Sequence, residues 1–324
     1  MRVALLFSPQ GSQVVGMGRE LADASPAAKA TYAAADAALG WGVSTVCWDG
    51  PEDHLNDTRQ TQPCLVATSL ACLAALREAC TDAGTALTPA FVAGHSVGEY
   101  AAIAAVGALS TEDALRLVAL RGSLMAEVGR DGGMVAVIGL DRAGIEQVLR
   151  TVAPPGSVIV ANDNAPGQVV ISGTSAGLAA AEGPLRDAGA KRLIPLHVSG
   201  PFHSPATAPV GEALAAAFES VTWSDPDPPI VSNVTAEPVR GAARIRELLA
   251  RQASSPVEWV ASVRRMVDEG VETFVECGPG TALSSMVRRI APEAQTLNVS
   301  DPSTLRATVA ALRVTAQVPV QASV

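Results

Sequence analysis

The residues with chemical potential begin at Gly94-His95-Ser96-Val97-Gly98. A serine between two glycines, with an apolar segment before it and an alanine-rich segment after it, is the arrangement of a nucleophile elbow. The small residues permit a sharp strand-to-helix turn that exposes the hydroxyl, and the amides opening the helix face a developing oxyanion. The pentapeptide alone arises readily by chance, so the flanking elements carry the reading, and a plain structural turn is the alternative. Such a serine needs a base. The chain has four histidines, at 54, 95, 197 and 203. His54 sits in an acidic, loop-like stretch, and the His95 side chain is expected on the far side of the turn from Ser96. His197 falls at a strand end beside Val198. His203 lies in Ser199-Gly200-Pro201-Phe202-His203-Ser204-Pro205, where a glycine and two prolines fix the backbone. It is the preferred base. Between Ser96 and His203 the aspartates at 113, 131, 141, 163 and 187 follow no clear end of a main-sheet strand, and no HGGG-type segment is present. An ordinary serine esterase is therefore disfavoured.

The elements that must position these groups alternate between short β-branched runs and longer helical patterns, which marks an α/β fold. Strands are predicted at Arg2–Phe7 and Pro89–Ala93. Helices are predicted at Thr61–Ala83, entered at Pro63, and from the elbow to about Val106. Another runs from Thr111 to about Val128, with Ser110 or Thr111 as N-cap. Arg130-Asp131-Gly132-Gly133 reads as a turn and a boundary. Beyond it come strand Met134–Ile138, helix Arg142–Val152, strands Val158–Ala161 and Gln168–Ser172, helix Ser175–Ala188 and strand Arg192–Pro195. That βαββαβ order is ferredoxin-like. The expectation is a large α/β-hydrolase-like domain with a parallel sheet core, built from 1–131 and 198–316, an inserted ferredoxin-like subdomain at 132–197, and a frayed tail at 317–324. The second part of the large domain is read as helix Pro209–Phe218, strand Ile230–Ser232, a helix around Pro256–Asp268, strand Thr273–Glu276 and helix Thr281–Ile290.

Composition narrows the function. With 324 residues, 48% hydrophobic and 17% charged, the chain can bury a sizeable core and is not a disordered polymer. A net charge of −9 argues against a general nucleic-acid binder. No run of about 18 purely apolar residues suggests a membrane span. The apolar start ends at Ser8 with no cleavage site following, so a cytoplasmic protein is expected. The five cysteines, at 47, 64, 72, 80 and 277, make no CxxC pair and suit buried thiols in a reducing compartment. Nothing in the composition suggests a large exposed apolar surface, which predicts a monomer.

Taken in order, further motifs resemble the malonyl-CoA:acyl carrier protein transacylase family, including the acyltransferases that serve polyketide synthases. They are Phe7-Ser8-Pro9-Gln10-Gly11-Ser12-Gln13, Thr61-Gln62-Pro63, Gly94 to Tyr100, Leu120-Arg121-Gly122, Asn162 to Gln168, Val198 to Ser204, Arg251-Gln252 with Pro256-Val257 and Trp259, and Glu276 to Gly280. Two positions depart from the family pattern: Pro9 replaces a glycine, and Asp163 stands where an aromatic is common. The resemblance implies that Ser96 takes the acyl group as an ester. It makes His203 the base, oriented by the main-chain carbonyl of Gln252 in place of a triad carboxylate. Gln10 and the Val97 amide become the oxyanion hole.

By spacing alone Arg121 could be a solvated helix residue. The resemblance makes it a bidentate clamp for an acyl group that ends in a carboxylate. Phe202, beside the histidine, resembles malonyl-selective members by closing space at C2. Gln62 and Asn162 are implied to line the substrate pocket. The implied reaction is ping-pong transfer from malonyl-CoA to the phosphopantetheine thiol of an acyl carrier protein, with no metal or redox cofactor. Carrier proteins of this kind are acidic, so docking needs a local basic patch, for which Lys191, Arg192, Arg288 and Arg289 are nominated. The alternatives are an acyl-thioester hydrolase, a transacylase for another acyl unit, and a catalytically inactive docking module.

Overall fold

A computed structural model describes residues 2–128, 131–152, 154 and 156–316. Arg130 of the expected boundary turn and the 317–324 tail lie outside the described residues. The strands in chain order are β1 (Val3–Phe7), β2 (Phe91–Gly94), β3 (Gly132–Ile138), β4 (Val158–Ala165), β5 (Gln168–Thr174), β6 (Arg192–Pro195), β7 (Ile230–Val231), β8 (Pro238–Val239), β9 (Thr273–Cys277) and β10 (Gln295–Val299). They form a six-stranded sheet, β10-β9-β1-β2-β7-β8, and a four-stranded sheet, β4-β5-β3-β6. The larger sheet is parallel except for the β7–β8 pair. In register, Phe7 stands opposite both Gly94 and Cys277. The carboxyl ends of three central strands therefore finish at one edge, where ligands bind in open α/β sheets.

Alternation along β1 shows why this sheet is central. Val3, Leu5 and Phe7 join a large apolar cluster formed with helices Pro26–Leu39, Thr58–Asp82, Gly98–Ala105 and Thr111–Glu127. Ala4 and Leu6 face the opposite cluster around Trp259, Met266, Leu283 and Val287. Both faces are covered, as a parallel sheet requires. The second sheet runs antiparallel in a βαββαβ order and packs Val169 and Ile171 with Ile145, Leu149 and Leu185 in its own core. Its other face, including Met134 and Val170, turns toward the large cluster.

Several elements differ from the sequence-based expectation. The buried helix begins at Thr58, capped by the Asp57 side chain, so Pro63 lies inside it and does not open it. This 25-residue helix is long and apolar enough to cross a bilayer, yet its apolar window is 72% buried inside the protein. Ser110, and not Thr111, caps the helix that carries Arg121. Helix Ala242–Gln252, strand β10 and helix Pro302–Ala316 were not anticipated. β10 reads Gln-Thr-Leu-Asn-Val and only Val299 is buried, so it lacks the apolar run that marked the inner strands.

Candidate active site

The elbow is built by space. A Cβ on Gly94 would lie 1.9 Å from the Gly98 carbonyl oxygen, and one on Gly98 would lie 2.2 Å from that of Phe7. Only glycines let β2, the turn and the following helix pass so closely. Between them Ser96 takes φ 52°, a conformation that non-glycine residues seldom adopt. Asn233, just beyond β7, holds it there. Its Oδ1 accepts from Ser96 N at 2.7 Å and its Nδ2 donates to Gly94 O at 2.6 Å. Asn233 was not foreseen; its only sequence signal is the polar pair Ser232-Asn233 directly after an apolar strand.

Ser96 Oγ lies 2.7 Å from His203 Nε2. His203 also has positive φ, 56°, and its loop is tied to the end of helix Ala242–Gln252. Its main-chain N donates to Ala253 O at 3.1 Å, and Thr207 Oγ1 donates to the same oxygen. His203 Nδ1 has two carbonyl partners at 3.1 Å, Gln252 O and Ser255 O. Two acceptors require the proton on Nδ1, which leaves Nε2 free to receive the serine proton. Ser255 was not foreseen either. Burial first, and then the Arg121 cation, hold the His203 pKa down at about 3, so the ring is neutral near pH 7.

Arg121 is 1% exposed. Gly122 permits its helix to press against Thr58–Asp82, since a Cβ there would lie 2.8 Å from Thr58 O. That approach brings Arg121 Nη1 to Gln62 Oε1 at 2.7 Å. Nη2 donates to Ser96 Oγ at 3.2 Å and to Gln252 Oε1 at 3.1 Å. Its Nε has no partner among the described residues, and the guanidinium lies over the Tyr100 ring. Three neutral oxygens surround a buried cation, so among the described residues the charge has no direct anionic partner and suits an incoming carboxylate. Glu99, an acid whose charge acts on Arg121, has its pKa raised by burial to about 7.

Gln62 does not line the open cavity as expected. It is fully buried, holds Arg121 through Oε1, and reaches the Met125 sulfur through Nε2. The cavity has a volume of about 540 Å³, with Gln10, Ser96 and His203 among its walls, Phe202 beside the histidine, and Asn162 and Val170 from the small sheet. Gln10 follows β1, and its side chain donates to Thr58 Oγ1 at 3.3 Å. The Val97 amide has no partner among the described residues, at the point where the helix after β2 begins. His95 also faces the cavity. Its Nε2 is paired with Asn164 Oδ1 at 2.7 Å, not with Ser96, and burial lowers its pKa to about 4.

Lys191, Arg192, Arg288 and Arg289 are exposed and outside the cavity wall. Lys191 approaches Gly139 and Arg289 approaches Gly167, and Gly139 N donates to Gly167 O, so two segments bring positive charge together. Arg289 also binds Gln168 Oε1 and Pro166 O, while Arg288 holds Thr296 and Ser285.

Residues 4–306 match the family model described as an acyl transferase domain. The malonyl CoA-acyl carrier protein transacylase of Bacillus subtilis (strain 168) is 41% identical over 315 residues, covering 96% of this chain and 98% of that protein. An acyl carrier protein S-malonyltransferase from Vibrio cholerae superposes with a TM-score of 0.90 at 36% identity, covering 95% of this chain and 100% of the other. A malonyl-transacylase solved in complex with its type II polyketide acyl-carrier protein gives 0.91 at 36% identity, with 96% and 100% covered.

Proposed function

The chain belongs to the acyl transferase domain family, and from that premise we propose that it moves malonyl from malonyl-CoA to the phosphopantetheine thiol of an acyl carrier protein. The observation that carries this reading is the buried Arg121 guanidinium 3.2 Å from the same Ser96 oxygen that meets His203. A serine nucleophile beside an unneutralised cation is matched to an acyl group with a free carboxylate.

In the first half-reaction the malonyl carboxylate binds Arg121. Ser96 Oγ attacks the thioester carbonyl, and its proton passes to His203 Nε2. The Gln10 and Val97 amides bind the oxyanion, each such donor contributing about 2.7–4 kcal/mol to the transition state. As the C–S bond breaks, His203 returns the proton to the departing CoA sulfur. In the second half-reaction the carrier thiol gives its proton to His203 and attacks the ester. The carbonyl–Oγ bond breaks and Ser96 recovers its proton. The Gln252 and Ser255 carbonyls stabilise the imidazolium formed in each half, the part a carboxylate plays in a triad.

Phe202 closes the wall near C2 of the acyl group, which favours malonyl over branched units. Asn162 lines the approach. The basic residues at 191, 192, 288 and 289 form the carrier-docking patch, with the protein acting as a monomer in the cytoplasm. Either fatty acid or polyketide synthesis would use the same chemistry.

Intact-mass measurement after mixing with malonyl-CoA tests the reading. A malonyl adduct is expected on the wild type, absent in Ser96→Ala and reduced at least about a hundredfold in rate in Arg121→Ala. Free malonate released as fast as carrier protein is loaded would instead identify a hydrolase.

A further inference from the structure

Glu99 is a buried carboxyl that the transfer steps above do not use. It stands three residues after Ser96, at the start of helix Gly98–Ala105, and is 4% exposed. Its two oxygens meet two donors. Oε2 accepts from Gln252 Nε2 at 2.6 Å, and Oε1 accepts from the Asn233 main-chain N at 3.3 Å. Gln252 Nε2 also donates to Ser96 O at 2.8 Å. With the amide nitrogen held by two acceptors, Gln252 Oε1 turns toward Arg121 Nη2 at 3.1 Å. Glu99 makes no direct ion pair with Arg121 among the described residues; Gln252 lies between them. A direct pair would fill the clamp. An intervening amide leaves the guanidinium charge open to substrate while fixing where it points.

We propose that Glu99 is a positioning residue of the carboxylate clamp: it locks the Gln252 amide so that its oxygen faces Arg121, and so favours acyl groups that end in a carboxylate. The inference rests on the transfer reading above and names a residue that makes its selectivity. The two donors call for an acceptor oxygen each, which a carboxylate supplies. A glutamine at position 99 has one acceptor for two donors, so its own NH2 would oppose either Asn233 N or Gln252 Nε2. The shorter bond goes to Gln252, so the clamp depends on Glu99 more than the elbow does. If Gln252 turns over to escape the conflict, its NH2 faces Arg121 and the guanidinium loses an acceptor.

The test compares malonyl-CoA with acetyl-CoA, which lacks the carboxylate, as donors for Ser96 acylation, with kcat/KM measured by rapid quench and intact mass. In Glu99→Gln the malonyl-to-acetyl ratio of kcat/KM is expected to fall by about tenfold or more. Glu99→Asp, which keeps two acceptors one methylene shorter, should recover part of it. A residue that only supports the fold would lower both donors by the same factor. That result, or no change with either donor, overturns the proposal. If Glu99→Gln does not fold, the same ratio in Glu99→Asp decides, and a ratio equal to wild type counts against the proposal. A wild type that takes no malonyl overturns the transfer reading, and this inference with it, before any variant is compared.

Discussion

His203 and Arg121 are both buried and meet at the Ser96 hydroxyl, and each changes what the other can do. A base buried beside a cation resists protonation, which keeps it neutral but also raises the cost of the imidazolium it must form. A malonyl carboxylate bound at Arg121, as proposed above, would relieve that cost by offsetting the guanidinium. The sign of the coupling can be tested without substrate. Burial is the larger cause and Arg121 the second, and together they bring His203 from 6.5 to about 3. Arg121→Ala removes a lowering influence, so the pKa should rise toward 6.5. Ring-proton NMR titration would measure it, and an unchanged or lower value would show that Arg121 does not hold the basicity down.

The elbow is a property of neighbouring elements more than of its pentapeptide. Gly94 and Gly98 matter because the Gly98 and Phe7 carbonyls occupy the space where their side chains would be. Gly98→Ala should therefore destabilise the fold by about 3 kcal/mol or more, through overpacking against backbone that cannot move aside. Thermal or denaturant unfolding would reveal it. A melting temperature within a degree or two of wild type would mean that the helix shifts to make room. Helix–helix contact follows the same logic at Gly122, where the absence of a side chain sets how far Arg121 reaches toward Gln62.

Across the whole molecule the charge is −9, whereas Lys191 and Arg289 come together at the adjoining Gly139 and Gly167 loops. An acidic carrier would be repelled overall and drawn in there. The double variant Arg192→Glu, Arg288→Glu should lower the second-order rate constant for carrier protein by about tenfold at low salt, with a smaller loss at high salt. The malonyl-CoA half-reaction of the same variant is the reference. A rate with carrier protein that matches wild type at low ionic strength would move the docking surface elsewhere. Arg289 is left out of this variant because its bonds to Gln168 and Pro166 also hold the β4–β5 turn.

The order of residues alone specifies the alternation of strands and helices, the elbow, the preference for His203, and, through ordered motifs, the family. These features are legible because they are local: a glycine spacing, a period, a rigid loop. The surroundings of the site were less legible. Asn233 is 137 residues from Ser96, Glu99 pairs with Gln252 153 residues away, and the Ser255 carbonyl reaches His203 across 52. A hydrogen bond across such a separation leaves no period or spacing in the chain. Gln62 shows the same limit: its motif is legible, but only helix packing decided that it bonds Arg121 and does not line the cavity. Tertiary structure settled which polar groups were sealed from water together, and burial is what gives the bonds among them their strength.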